Sequence, residues 1–301
     1  MKVFLKDCIR FLLIVFVAAI LLEITMRMLP NDYKVKKEYL EAHCSEIEVL
    51  ILGTSQTYYG VDPNYIDAHA YNAAYVSQTL NFDLAILEKY STSLGSLKTL
   101  IVPISYISLF VDLESGKENW RVKNYNLYHH LNKSNRIGTN SEVFGNNLFV
   151  NMKRLFYFVI GKPLITTSDL GWGIDFKSTD GYPLLETGIS ASKRHTINDY
   201  TLLNQNMEVI KRMHRICQNN NTQLVLISAP THKHYNDRLN DTQLQLFNNA
   251  INTLVLETEV KYYDFRNDER FKDSDFFDAI HLNEKGAKKL TELLNDTVLS
   301  E

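Results

Sequence analysis

The chain has 301 residues, of which 45% are hydrophobic and 22% charged, an ordinary globular balance with length enough for one large core. A formal net charge of -3 argues against a nucleic-acid partner held by bulk electrostatics. Three scattered cysteines, Cys8, Cys44 and Cys217, form no disulfide framework.

Lys2, Lys6 and Arg10 precede an apolar stretch from Phe11 to Leu22, which Ile24 to Leu29 extends past Glu23 and Arg27. A bilayer span needs roughly 20 apolar residues and tolerates charges near its ends. The basic N-terminal flank favours a cytoplasmic N-terminus. No small-x-small cleavage site follows, so residues 1–30 are expected to be an uncleaved signal-anchor helix. A removed signal peptide and a buried helix of a soluble protein are the alternatives. An anchor would place everything after Pro30 outside the cytoplasm, beginning with a polar connector over residues 31–46.

From residue 47 onward, strand-like and helix-like segments alternate. Strand candidates are Ile47–Leu52, His69–Ala73, Leu97–Pro103, Leu224–Ser228 and Val260–Phe265. Continuous apolar runs in the first, third and fourth suit strands covered on both faces. Helical spacing appears in Leu80, Leu84 and Leu87; in Leu203, Met207, Ile210, Met213 and Cys217; and in Leu244, Phe247, Ile251 and Leu254. A last helix is expected to start at Asn283 as N-cap and to bury Ala287, Leu290 and Leu294. Such alternation predicts an α/β fold, a mostly parallel sheet with helices on both faces. Function in such sheets gathers at the carboxyl ends of the strands, where Ser55, Pro230 to His234 and the segment after Phe265 would lie. Residues 111–196 break the pattern. Rich in Asn, Gly and aromatic residues, they read as an insertion, serving either as a lid or substrate platform or as extra helices completing the core.

Ser55 follows the apolar run Val49 to Leu52 in Gly53-Thr54-Ser55. A serine hydroxyl needs a base to become a nucleophile. His281 is the candidate base, and Asp278, three residues earlier, the carboxylate that fixes its tautomer. Asp273 and Asp275 are nearby alternatives for that carboxylate. A serine in this position also commonly caps the next helix. His232 and His234 form a His-x-His pair without a third ligand at metal-site spacing, so neither metal nor cofactor is expected. A pocket wall and an exposed loop are the readings left open for His232. Lys193-Arg194-His195 reads as a basic spot, either solvated surface or an anion contact.

Residues 51–63, Ile-Leu-Gly-Thr-Ser-Gln-Thr-Tyr-Tyr-Gly-Val-Asp-Pro, resemble the first block of SGNH/GDSL-type hydrolases. Asp278-Ala-Ile-His281-Leu-Asn-Glu-Lys-Gly-Ala resembles their last block. More weakly, Tyr71-Asn72-Ala73-Ala74 resembles the second block. Ala229-Pro230-Thr231-His232 resembles a proline-containing loop of membrane-anchored members. The resemblance implies a three-layer α/β/α flavodoxin-like sandwich with Ser55, His281 and Asp278 as a triad. It also implies an oxyanion hole built from the serine N–H, a block-two glycine and a block-three asparagine. Ser77 stands where that glycine is expected. Ile104-Ser105-Tyr106 stands where Gly-x-Asn-Asp is expected. Asn72, Ser77, Ser105 and His232 are therefore the candidate oxyanion and substrate contacts.

An N-terminal anchor, an early serine block and a late Asp-x-x-His also resemble the branch containing D-alanyl transfer proteins and polysaccharide O-acetylation factors. That implies an extracytoplasmic serine esterase or O-acyltransferase acting on cell-envelope polysaccharide or related glycans. Its partners would be an acylated saccharide and a membrane-bound O-acyltransferase. The competing expectation is a weak or inactive accessory protein that binds glycan or such an acyltransferase.

Overall fold

The structure, a computed structural model, describes residues 2–299. Helix α1 (Lys2–Met28) is followed by α2 (Asp32–His43). Strand β1 (Val49–Ile51) then leads into the short helix α3 (Ser55–Gly60). After β2 (Ala70–Asn72), α4 (Leu80–Tyr90) and β3 (Thr99–Pro103) come α5 (Val122–Leu127), α6 (Glu142–Gly145), α7 (Leu148–Val159) and α8 (Leu184–His195). Next are α9 (Leu203–Asn219), β4 (Gln223–Ser228), α10 (Lys233–Asn236), α11 (Asp241–Thr258) and β5 (Lys261–Asp264). A two-stranded ribbon, β6 (Phe276–Asp278) and β7 (His281–Leu282), precedes α12 (Glu284–Leu294).

The chain divides into two compact units. The larger contains, of the described residues, 39–116 and 167–299. Its five strands lie in the order β2-β1-β3-β4-β5, and every neighbouring pair is parallel. This is the flavodoxin-like order, with its switch point at β1 and β3. Alternate side chains on a strand face opposite ways. Val49, Ile51, Ile101, Val225 and Ile227 therefore form one core with Leu290 and Leu294 of α12. On the opposite side α9 packs on β4 and touches both α4 and α11. The three-layer α/β/α arrangement follows from these two faces.

The smaller unit contains, of the described residues, 2–38 and 117–166. Its α1 includes a 26-residue stretch, Val3–Met28, long and apolar enough to cross a membrane, and none of its most apolar window is buried. The expected insertion is thus of two kinds: residues 117–166 group with the N-terminal helix, whereas 167–196 belong to the sheet unit. The segment read as a polar connector is largely helical, from Asp32 to His43. Its inward face is Tyr33, Lys36 and Leu40. A lysine in the middle of that face hides the helical period from a reading based on hydropathy.

Candidate active site

Glycine at position 53 is dictated by geometry. Its φ is +109°, and an added Cβ would lie 2.0 Å from Cγ of Pro103. The turn ends β1 abruptly and lets Thr54 cap α3, its hydroxyl accepting the Gln56 N–H at 3.3 Å. Ser55 is the first residue of α3, so its own N–H has no intrahelical acceptor. Thr57 ties the turn down through its hydroxyl, which donates to the carbonyl of Leu52 at 2.8 Å. The Tyr75 N–H donates to the Gly53 carbonyl at 3.0 Å and joins the loop after β2 to the serine turn.

The β6–β7 ribbon carries the other two groups. Asp278 and His281 face each other across its tight connection. The Asp278 carboxylate accepts the N–H groups of Ile280 and His281 at 2.9 and 3.0 Å, which fixes the turn. Asn283 then caps α12 by accepting from Lys285 and Gly286, while its amide donates to the carbonyls of Ser274 and Phe276. Ribbon and helix are locked together by that one side chain.

The structure brings Ser55, His281 and Asp278 together. Ser55 Oγ lies 2.8 Å from His281 Nε2, across 226 residues of chain. His281 Nδ1 lies 2.9 and 3.0 Å from the two carboxylate oxygens of Asp278. The neighbouring carboxylates point elsewhere: Asp275 is buried against Lys289, and Asp273 pairs with His232. Burial pushes the Asp278 carboxyl up in pKa. The His281 ring and the two backbone N–H groups pull harder and leave it below the usual value, so it is ionised at neutral pH.

The remaining expected contacts fare differently. Ser77 takes a left-handed backbone conformation, φ 61°, the region glycine occupies most easily. That conformation is the physical counterpart of the glycine expected there. Asn72 departs from its expected role. It is fully buried, its amide donates to the carbonyls of Thr57 and Val61 at 2.8 Å, and its oxygen accepts the Ala74 N–H. It braces α3 from below and has no group left for substrate. Ser105 is engaged with Ser108, its N–H and hydroxyl both 2.9 Å from Ser108 Oγ. His232 is buried and caps α10, with Nδ1 accepting the His234 N–H and Nε2 3.1 Å from Asp273. It borders a cavity of about 750 Å³ with Lys233, Asn236, Arg266 and Lys272, a cavity that neither Ser55 nor His281 lines.

Residues missed by sequence reasoning come from the segment 172–195. Phe176 stacks between Tyr59 and Phe277, with ring centroids 3.5 and 3.8 Å apart, and presents its edge toward the His281 ring at 5.4 Å. Trp172 fixes this wall by donating from Nε1 to the carbonyl of Tyr59 at 2.7 Å. Glu284 binds the N–H and hydroxyl of Ser178. Thr187 accepts the Ala279 N–H in the turn between Asp278 and His281. His195 is not a solvated basic spot. Burial, then the Arg194 and His281 charges, drives its pKa down to about 4 despite the Asp278 carboxylate, so it stays neutral near His281. Its Nδ1 meets the Tyr235 hydroxyl at 2.9 Å. The aromatic richness of the insertion was the available signal, but no periodicity said which rings face the serine. Among the described residues, no three His, Cys, Asp or Glu side chains gather into a metal-ligating group.

A protein-family model that carries no descriptive name matches residues 186–301, less than half of the chain. No curated protein sequence matches. Among solved structures, a GDSL-like lipase from Bacteroides thetaiotaomicron is similar at 10% identity, over 89% of this chain and 98% of that one, with a TM-score of 0.42. A candidate acylhydrolase from Bacteroides fragilis is similar at 8% identity over 88% and 95%, with a TM-score of 0.43. A psychrotrophic esterase from Pseudoalteromonas sp. is similar at 12% identity over 84% and 94%, with a TM-score of 0.34. Likeness this distant leaves the chemistry to be carried by the residues of the site.

Proposed function

We propose that this protein is a serine esterase or O-acyltransferase that works through an acyl-enzyme on Ser55. The observation that carries the reading is the 2.8 Å approach of Ser55 Oγ to His281 Nε2, with Asp278 on the far side of the ring. As Oγ attacks an ester carbonyl, His281 takes the serine proton and Asp278 stabilises the imidazolium. The proton then passes to the departing alcohol, and the acyl group stays on Ser55. Water or a saccharide hydroxyl, deprotonated by the same ring, attacks next and restores the serine. The N–H groups of Ser55 and Ser77 are our candidates for stabilising the oxyanion.

The setting favours a glycan-borne ester. Tyr59, Phe176 and Phe277 stack on one another beside the imidazole, and the edge of that stack is an apolar border against which the C–H groups of a saccharide can rest. In this reading α1 anchors the protein, and the charges of Lys6 and Arg10 keep its N-terminus in the cytoplasm and the sheet unit outside. The substrate is then an acylated envelope polysaccharide or a related glycan, with a membrane-bound O-acyltransferase as donor-side partner.

A second reading, binding without turnover, draws on Asn72 and Ser105. Their side chains are engaged within the protein, so the site lacks a side-chain oxyanion donor from either. Losing one such donor costs about 10²- to 10³-fold in turnover. Incubation with an acetylated oligosaccharide, alone and with an unacetylated acceptor, separates the readings. The enzyme reading expects acetate release or a newly acetylated acceptor, both lost in Ser55→Ala. Saccharide binding with neither product would establish the accessory role instead.

A further inference from the structure

Helix α7 in the smaller unit is built inside out. Two of its polar residues, Asn151 and Arg154, face the protein: Asn151, 1% exposed, donates to the Glu142 carbonyl at 3.0 Å and accepts from Asn146. Arg154 donates to the Glu142 carboxylate at 2.8 Å, and Glu142 also pairs with buried Lys123 and accepts the Tyr128 hydroxyl. On the opposite face Leu148, Phe149, Met152, Phe156 and Val159 recur at helical spacing and are exposed, Phe149 by 75% and Val159 by 73%. Phe144 and Ile160 extend the patch at either end. A helix at a water-facing surface has the reverse arrangement, and a continuous apolar patch of this kind marks a surface that is covered.

What covers it follows from how α6, on which α7 rests through Asn151 and Arg154, is tied to α1. The Glu23 carboxylate accepts the N–H groups of Glu142 and Val143 at 3.0 and 2.9 Å and the Ser141 hydroxyl at 2.7 Å. Arg27 donates to the Asn140 carbonyl at 2.8 Å. About 20 residues of helix cross the roughly 30 Å hydrocarbon layer, so Glu23 and Arg27, the charges in the last turns of α1, stand where a spanning α1 would leave it. The start of α6 is thereby held at the level of the membrane surface, and α7 is held beside it by the bonds of Asn151 and Arg154 to Glu142. Basic and aromatic groups border the apolar face in the manner of interfacial helices: the Lys153 and Lys162 ammonium groups lie 5.3 and 4.9 Å from the Tyr157 ring centroid.

We propose that α7 lies in the membrane interface, its Leu148–Phe149–Met152–Phe156–Val159 face immersed in the lipid of the leaflet from which α1 emerges. The proposal rests on α1 spanning the bilayer. It gives the smaller unit two points of membrane attachment, which fix its rotation about α1 as well as its distance from the surface.

The test uses the full chain in phosphatidylcholine–phosphatidylglycerol vesicles containing doxyl-labelled lipid. An environment-sensitive fluorophore is attached, before reconstitution, to a single accessible cysteine. The sites are native Cys8 in α1 with Cys44→Ser, and Phe149→Cys or Phe156→Cys with Cys8→Ser and Cys44→Ser; buried Cys217 is left in place. The proposal expects lipid quenching and blue-shifted emission at all three positions. Quenching at Cys8 with water-like, unquenched emission at 149 and 156 overturns it while leaving the anchor intact. Blue-shifted but unquenched emission at 149 and 156 assigns the face to protein contact and also overturns it. Absence of quenching at Cys8 as well removes the spanning helix and the proposal together.

Discussion

Three side chains from two short stretches of sequence carry the proposed chemistry, and the carboxylates around them show why position matters more than residue type. Asp273, Asp275 and Asp278 lie within six residues of one another, yet only Asp278 reaches His281. Asp278→Asn is therefore expected to lower kcat by about 10⁴-fold through loss of the correct tautomer, while Asp273→Asn leaves kcat close to wild type in the same ester assay. His281→Ala is expected to fall as far as Ser55→Ala, on the order of 10⁶-fold, because members of a triad act as a unit. A mild effect of His281→Ala would remove it from the mechanism. Phe176→Ala is expected to reduce kcat/KM about tenfold by opening the wall between Tyr59 and Phe277, seen by comparing glycan-borne and simple acetyl esters. The grouping of Ser55, His281 and Asp278 was legible in the sequence because each sits in a contiguous block beside a strand or helix signal. His195 and Phe176 were not, because their segment has no period and owes its position to tertiary contacts with Tyr59, Phe277 and Glu284.

At the level of elements, the turn between β1 and α3 places Ser55, and it depends on two residues without chemistry of their own. Gly53→Ala would drive a methyl group into Pro103 at a positive φ. It is expected to destabilise the fold by about 2 kcal/mol or more, read by urea unfolding. Asp83 of α4 is buried beneath the same turn, accepting from the Gly53 N–H and from Gln78 Nε2 at 2.6 Å. Burial outweighs those bonds and raises its pKa from 3.8 to about 7. The folded state thus holds this proton where the unfolded chain has released it. The stabilising contribution is full below about pH 4 and is lost as pH rises toward 7. Asp83→Asn is expected to flatten the fall in stability between those values, measured by urea midpoints across the range; an unchanged slope would mean the carboxyl is ionised throughout. Strands β1, β3 and β4 were readable as apolar runs, β2 and β5 from the alternation of elements around them, and the Asn283 cap from its place before an amphipathic helix. Helix α2 was not, since Lys36 occupies its buried face.

For the whole molecule, the sequence foretold a sheet-based body and an apolar N-terminal helix, but its single insertion resolves into two parts. Residues 167–196 belong to the sheet unit and bring Phe176 beside His281, and residues 117–166 form a unit with α1. The reason is visible in Glu23: a charge that interrupts an apolar run looks like a flaw in a span, yet it caps the chain at 141–143. The intact protein is expected to remain with membranes after alkaline washing and to leave them in detergent; release by alkali alone would count against the anchor. The reading of function stands on Ser55 being a nucleophile. Its most direct test is mass spectrometry of the folded protein after treatment with an active-serine fluorophosphonate. The expected result is one adduct on the peptide containing Ser55, absent in Ser55→Ala and strongly slowed in His281→Ala. A well-folded wild type that stays unmodified, or an adduct that persists in Ser55→Ala, would contradict it.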